Sequence, residues 1–149
     1  MIAIGVCLLG WAIASHLVIA MDKSVDKTLF FRVNKEPSLG DFVVVQGSNT
    51  DPVIKGRKIV KRVTCLGGQH LVIKQDYYFC GDTYIGKALH KTYEGNLIEP
   101  FNPCKADPCE VVIPQGYYFL TGTHPRSYDS RYVGFFKRGD IVYVVKALF

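Results

Sequence analysis

Residues 1–21, MIAIGVCLLGWAIASHLVIAM, carry no Asp, Glu, Lys or Arg, and no other feature narrows the possible folds of this chain as much. At the helical rise they would span about 31 Å, enough to cross a hydrocarbon core. A removable signal peptide would begin with a basic segment, and none precedes Ile2, so the stretch reads as a retained anchor. The expected organisation is a membrane anchor over 1–21 and one soluble domain over 22–149, with 83–108 a loop or small insertion. Lys23 and Lys27 follow the span directly, which the positive-inside rule alone would place on the cytoplasmic side. His16 reads as an interfacial or packing residue, and Cys7 as a membrane-packed thiol.

The remainder of the chain carries the whole formal charge of +5, with acidic residues interspersed among the basic ones. There is no basic block and no nucleic-acid module, so no nucleic-acid partner is expected. A mildly basic face of this kind suits anionic lipid head groups. Cys65, Cys80, Cys104 and Cys109 form an even set outside the apolar stretch, which points to an oxidising compartment. Cys104 and Cys109 flank a proline-containing turn and are the default pair, leaving Cys65 for Cys80; four cysteines permit three pairings. No CxxC or HxxxH spacing supports a zinc site or a dithiol redox site, and no cofactor is expected.

Beyond residue 39 the pattern is that of strands. Residues 40–46 run from a Gly-Asp turn into β-branched residues, and 57–66 alternate around Ile59, Val60 and Val63. Gly67-Gly68 then gives a turn and 69–74 runs back, the signature of a hairpin. Further strands are expected at 76–80, 109–113, 116–121 and 139–146. The fold class that follows is mainly β: a coiled antiparallel sheet or partial barrel on one N-terminal membrane helix.

Three segments share a chemical logic. Ser24 lies just beyond the apolar stretch, where a hydroxyl nucleophile would sit at the bilayer surface, given a base to take its proton. Lys61 alternates onto the same strand face as Ile59 and Val63, which strips an ammonium of solvent and favours the neutral amine that a base needs. Arg62 points the opposite way, into solvent. Ser127, Asp129 and Arg131 are spaced i, i+2, i+4, so an extended backbone would present all three on one side, a hydroxyl to hold the amine and an ion pair to fix the loop. Each segment alone also fits a plain structural role: a loop start, an edge lysine that deters aggregation, a polar turn. His124 with Ser24 and Asp129 offers a Ser–His–Asp reading, but His124 stands in a His-Pro turn where a structural role is common.

Taken in order, these segments resemble the signal peptidase I family, and more closely its conjugative-transfer (TraF-type) branch. Ser24-Val25-Asp26-Lys27-Thr28-Leu29 stands where the family has its serine box S-M-x-P-T-L. Gly40-Asp41-Phe42-Val43-Val44-Val45 matches the Gly-Asp strand, and Lys61-Arg62-Val63 with Gly67-Gly68 matches the lysine box and its turn. Ile113-Pro114-Gln115-Gly116-Tyr117-Tyr118-Phe119 matches a P-x-G-x-Y-F lead-in. Ser127-Tyr128-Asp129-Ser130-Arg131-Tyr132-Val133-Gly134 matches S-x-D-S-R-Y-x-G, the most specific of these elements.

The resemblance implies a Ser–Lys serine endopeptidase in the inner membrane, with its catalytic domain on the periplasmic face. It implies Ser24 as nucleophile, Lys61 as base, Ser127 as the hydroxyl that positions the lysine, and Asp129 and Arg131 as supports. Its partners would be membrane lipid, a precursor or pilin substrate, and conjugation or secretion machinery. Some members of the branch also join pilin ends into a ring. Lys27 replaces the proline of the serine box and Val25 its methionine. Asp22 stands two before the serine, where some members supply an oxyanion-hole hydroxyl, leaving the backbone N–H of Ser24 for that task. Thr123-His124-Pro125 stands where the general family has Gly-Asp-Asn, which is the conjugative pattern. The alternatives are a housekeeping signal peptidase I and, in another class, a catalytically silent membrane-tethered β scaffold in a secretion or pilus assembly.

Overall fold

The structure is a computed structural model that describes residues 16–21, 24–48 and 50–148. Its strands are β1 (Leu17–Ile19), β2 (Leu29–Val33), β3 (Phe42–Gln46), β4 (Lys58–Leu66), β5 (His70–Lys74), β6 (Tyr77–Cys80), β7 (Thr83–Lys87), β8 (Cys109–Val112), β9 (Tyr117–Thr121), β10 (Phe136–Lys137) and β11 (Ile141–Ala147). One helical turn, α1 (Ser130–Val133), follows β9. All ladders among the described residues are antiparallel, and the chain is mainly β as expected. The strands form two sheets, ordered β1-β2-β11-β3-β4-β9-β10 and β7-β6-β5-β8.

The apolar runs are continuous where a strand is buried on both faces. Val43 and Val45 enter one core cluster with Ile59, Val63, Leu120 and Val144, while Val44 turns to the other face with Phe30, Val60 and Val145. A third cluster lies between the two sheets, where Cys65 and Phe119 of the large sheet meet Leu71, Ile73 and Tyr78 of the small one. These β-branched cores are what the valine-rich segments supply.

Two expectations are corrected. First, Leu17–Ile19 is not the end of a membrane helix but a strand, paired with β2 in the register Leu17↔Phe31. The reason is packing. Val18 and Ala20 complete the Phe30 cluster, and His16 stacks on Phe31 with ring centroids 5.6 Å apart. Residues 1–15, with Cys7, lie outside the described residues, as do Asp22 and Lys23. Among the described residues no helix is long and apolar enough to cross a membrane.

Second, Gly67-Gly68 does form a turn, but β4 and β5 belong to different sheets instead of a hairpin. The turn is pressed against the segment that leads into β9: Gly68 N donates to Ile113 O at 2.8 Å, and a Cβ on Gly67 would lie 2.8 Å from Pro114 O. Gly68 also has φ +86°, which a side chain would resist. Segment 83–108 begins with a strand, β7, an edge of the small sheet whose residues are mostly exposed and so lack an apolar period.

The cysteines pair as Cys65–Cys80 and Cys104–Cys109, with Cα atoms 5.6 and 5.5 Å apart. The first joins the two sheets behind β4. Tyr78 does the same work by hydrogen bonding. Fully buried, its hydroxyl donates to Phe101 O at 2.6 Å and to Arg131 O at 3.1 Å, tying β6 to α1. Burial, with a smaller contribution from Asp76, raises the phenol above its usual value of 10.0. A raised folded value stabilises the fold below the unfolded one and is lost as pH climbs past it. Tyr78→Phe is therefore expected to lose about 1–2 kcal/mol at neutral pH, read by urea unfolding, and to show a shallower decline above pH ~10 than the parent.

Candidate active site

β4 carries Lys61 to the centre of the large sheet. Its cross-strand neighbour is Val43, and Val45 faces Ile59, so the lysine shares the face that Val43, Ile59 and Val63 bury. Lys61 is 2% exposed, while Arg62, one residue on, is exposed and donates to Gly40 O at 3.3 Å. Alternation alone separates the two charges. The Lys61 Nζ donates to Ser127 Oγ at 3.0 Å, and Ser127 is itself 3% exposed.

Ser127 is held by a loop running from β9 to α1 rather than by an extended strand. The i, i+2, i+4 spacing therefore works differently from the sequence expectation. Asp129 has extended backbone and caps α1, accepting the Arg131 N–H at 3.1 Å. The Arg131 side chain folds back onto the same carboxylate, with Nε to Oδ1 at 2.9 Å and Nη2 to Oδ2 at 2.8 Å. Asp129 Oδ2 also accepts Gly122 N, and Arg131 donates to Lys87 O, Pro125 O and Ser127 O. Each end of the loop is thus fastened to one buried pair. Burial works against the Arg131 charge, but the Asp129 side chain outweighs it and holds the guanidinium above its usual range.

Ser24 comes to the same loop from the other side. Its carbonyl accepts the His124 N–H at 3.2 Å, and Asp26 N donates to Thr123 Oγ1 at 2.7 Å. Thr123 Oγ1 in turn donates to Asp26 Oδ1 at 3.2 Å. Between them lies Gly122, where a Cβ would overlap Ser127 Oγ and the Ser24 carbonyl at once. Only a glycine lets the Ser24 main chain and the Ser127 hydroxyl approach one another this closely. The structure therefore gathers the Ser24 main chain, Lys61, Ser127, Asp129 and Arg131 around the loop that follows β9.

His124 is drawn into the turn instead. Its ring is exposed, with Nδ1 accepting the Arg126 N–H at 3.1 Å, and Asp129 is occupied by Arg131 and Gly122. Nothing in this geometry assembles a Ser–His–Asp array. The contributions of Gly122, Thr123, Asp26 and Ser130, whose Oγ accepts Leu120 N at 2.8 Å, escaped the sequence reading. Gly122 left a signal there as a lone glycine before a polar loop, while Ser130, Thr123 and Asp26 stood inside the matched motifs without their bonding partners showing.

A groove of about 560 Å³ runs along the sheet face between β1 and β4. Ala20 and Met21 line it close before Ser24, and Ile59 and Val60 close before Lys61. β9 pairs with β4 only from Arg62 onward, so residues 58–60 leave one edge of β4 outside that ladder among the described residues.

The family described as signal peptidase, peptidase S26 matches the chain over residues 1–149. Among solved structures the chain is similar to the crystal structure of a signal peptidase I from Enterococcus faecalis, at 22% identity, covering 75% of this chain and 98% of that one, with a TM-score of 0.49. No curated protein matches.

Proposed function

The chain belongs to the signal peptidase, peptidase S26 family, and from that premise we propose that it is a Ser–Lys endopeptidase that removes leader segments from precursor proteins. The observation that carries this reading is an amine enclosed to 2% exposure and bonded to Ser127 Oγ at 3.0 Å, beside the main chain of a serine. Enclosure on an apolar face disfavours ammonium, and a neutral amine has a lone pair for a proton. Ser24 Oγ attacks the scissile carbonyl as Lys61 Nζ takes its proton. The C–N bond then breaks, and the proton passes from Lys61 to the leaving amine. Water, its proton taken by the same lysine, hydrolyses the ester. Ser127 orients the amine, the Asp129–Arg131 pair holds the loop, and the Ser24 N–H faces the developing oxyanion. The substrate lies extended in the groove and adds to β4 along residues 58–60, so that backbone bonds bind it with little regard to sequence.

Within the family the conjugative-transfer branch fits best, because His124 and Pro125 build the turn that receives the Ser24 carbonyl. The substrate is then a pilin-type precursor, and the working partners are those of a conjugation assembly. Two cysteine pairs suit the periplasmic face of the inner membrane. The charge-free segment before β1 brings the domain to the bilayer, where leader segments emerge, and raises the local concentration of the scissile bond.

The full chain in liposomes, offered a secreted precursor and a pilin-type precursor, is expected to cut the second at least about tenfold faster. The product mass separates a hydrolysed chain from a ring lacking one water. Faster cutting of the secreted precursor would move the assignment to a housekeeping peptidase, and cutting of neither would favour the scaffold.

A further inference from the structure

The groove is not uniformly apolar. Arg32 of β2 lies on one side and Arg57 and Lys58, at the head of β4, on the other. No acidic residue lines it among the described residues, and none of the three cations has a carboxylate partner there. Two exposed cations elsewhere do have carboxylate partners, Lys35 with Asp41 and Arg138 with Glu36. Arg32 is also held in place. Its guanidinium carbon sits 3.8 Å from the Tyr143 ring centroid, and its Nε is shut off from solvent without a hydrogen-bond partner. A guanidinium fixed by stacking at a groove, with a donor that no protein group uses, suits an anion there.

We infer that this end of the groove selects a precursor bearing an Asp or Glu a few residues from the scissile bond. The inference rests on the peptidase reading for what occupies the groove, and adds the side chain that it recognises. Distance along the strand gives the position. Arg57 is four residues before Lys61 on an extended chain, about 13 Å, so a substrate strand beside β4 presents its carboxylate roughly three to five residues from the cut. Apolar Val44, Ile59 and Val60 line the stretch between and take the intervening small side chains. The carboxylate then receives charge-assisted hydrogen bonds from Arg32, with Arg57 and Lys58 adding attraction that salt weakens.

The test separates binding from cutting. The Ser24→Ala form of the full chain is titrated with a fluorescein-labelled Ala/Gly/Thr peptide in which one Asp, Asn or Lys is walked through each position. At one or two adjacent positions Asp is expected to bind about tenfold tighter than Asn, and Lys more weakly than either. Arg32→Gln should bring the Asp peptide down to the Asn level and Arg32→Lys should restore part of the difference. Arg57→Gln with Lys58→Gln, both at exposed positions, should halve the preference or more and blunt its salt dependence. Equal binding of the three peptides at every position overturns the inference, as does a preference for Asp that the Arg32 and Arg57/Lys58 variants leave intact. If the Asp preference is found and the Ser24 form cuts none of the peptides, the selectivity stands and the peptidase reading falls.

Discussion

Ser24→Ala and Lys61→Met are each expected to lower kcat/KM for precursor processing by about a thousandfold or more, and the double variant should be no slower than the worse single one. A nucleophile and its base act as one unit, so removing either leaves only whatever rate the groove and the oxyanion donor sustain. The two variants should part company in stability. Ser24 sits at a half-buried turn and its replacement should be near neutral. Lys61 is buried, and methionine keeps its length while removing an amine that must be kept from water, so Lys61→Met should unfold at the same urea concentration as the parent or higher. A merely structural lysine would give the opposite pattern, with stability lost and processing reduced only in proportion. Ser127→Ala should fall between, at about ten- to a hundredfold, because it loosens the amine without removing it.

The largest loss of stability is expected from breaking the Asp129–Arg131 pair. Asp129 is fully buried and Arg131 is 3% exposed, so Asp129→Ala or Arg131→Ala leaves one charge enclosed without its partner, a loss of about 3–5 kcal/mol by urea or thermal unfolding. Asp129→Ala also strands the Gly122 N–H, and Arg131→Ala the carbonyls of Lys87 and Pro125. A double replacement by Leu and Met, which removes both charges while filling their space, should recover much of the stability. It should not recover processing, since the loop that carries Ser127 would have lost both its fastenings. Full recovery of both properties would mean that the pair has no part in placing Ser127.

What the sequence disclosed follows from the range of the interactions concerned. Lys61 was legible because strand alternation is local: KIVKRV separates a buried lysine from an exposed arginine within two residues. The Asp129–Arg131 pair was legible as a pair, but its geometry was not, since a cap on one helical turn and an extended strand place the same two residues together. The strand at Leu17–Ile19 was hidden because an apolar run is equally good as the end of a membrane helix, and only its packing against Phe30 and Val44 decides. The Asp26–Thr123 clasp joins residues 97 apart, and the cations of the groove come from β2 and β4, so neither leaves a pattern in any short window.

The proposed chemistry begins with one event, acylation of Ser24 helped by the Lys61 amine. A p-nitrophenyl ester of an alanine-terminated peptide, mixed with the full chain, quenched in acid and mapped by mass spectrometry, reports that event directly. The expected result is a single acyl adduct on the peptide that contains Ser24, formed in the parent, slowed in Ser127→Ala and missing in Lys61→Met. An adduct on any other residue, or one on Ser24 that forms equally fast without Lys61, would contradict it.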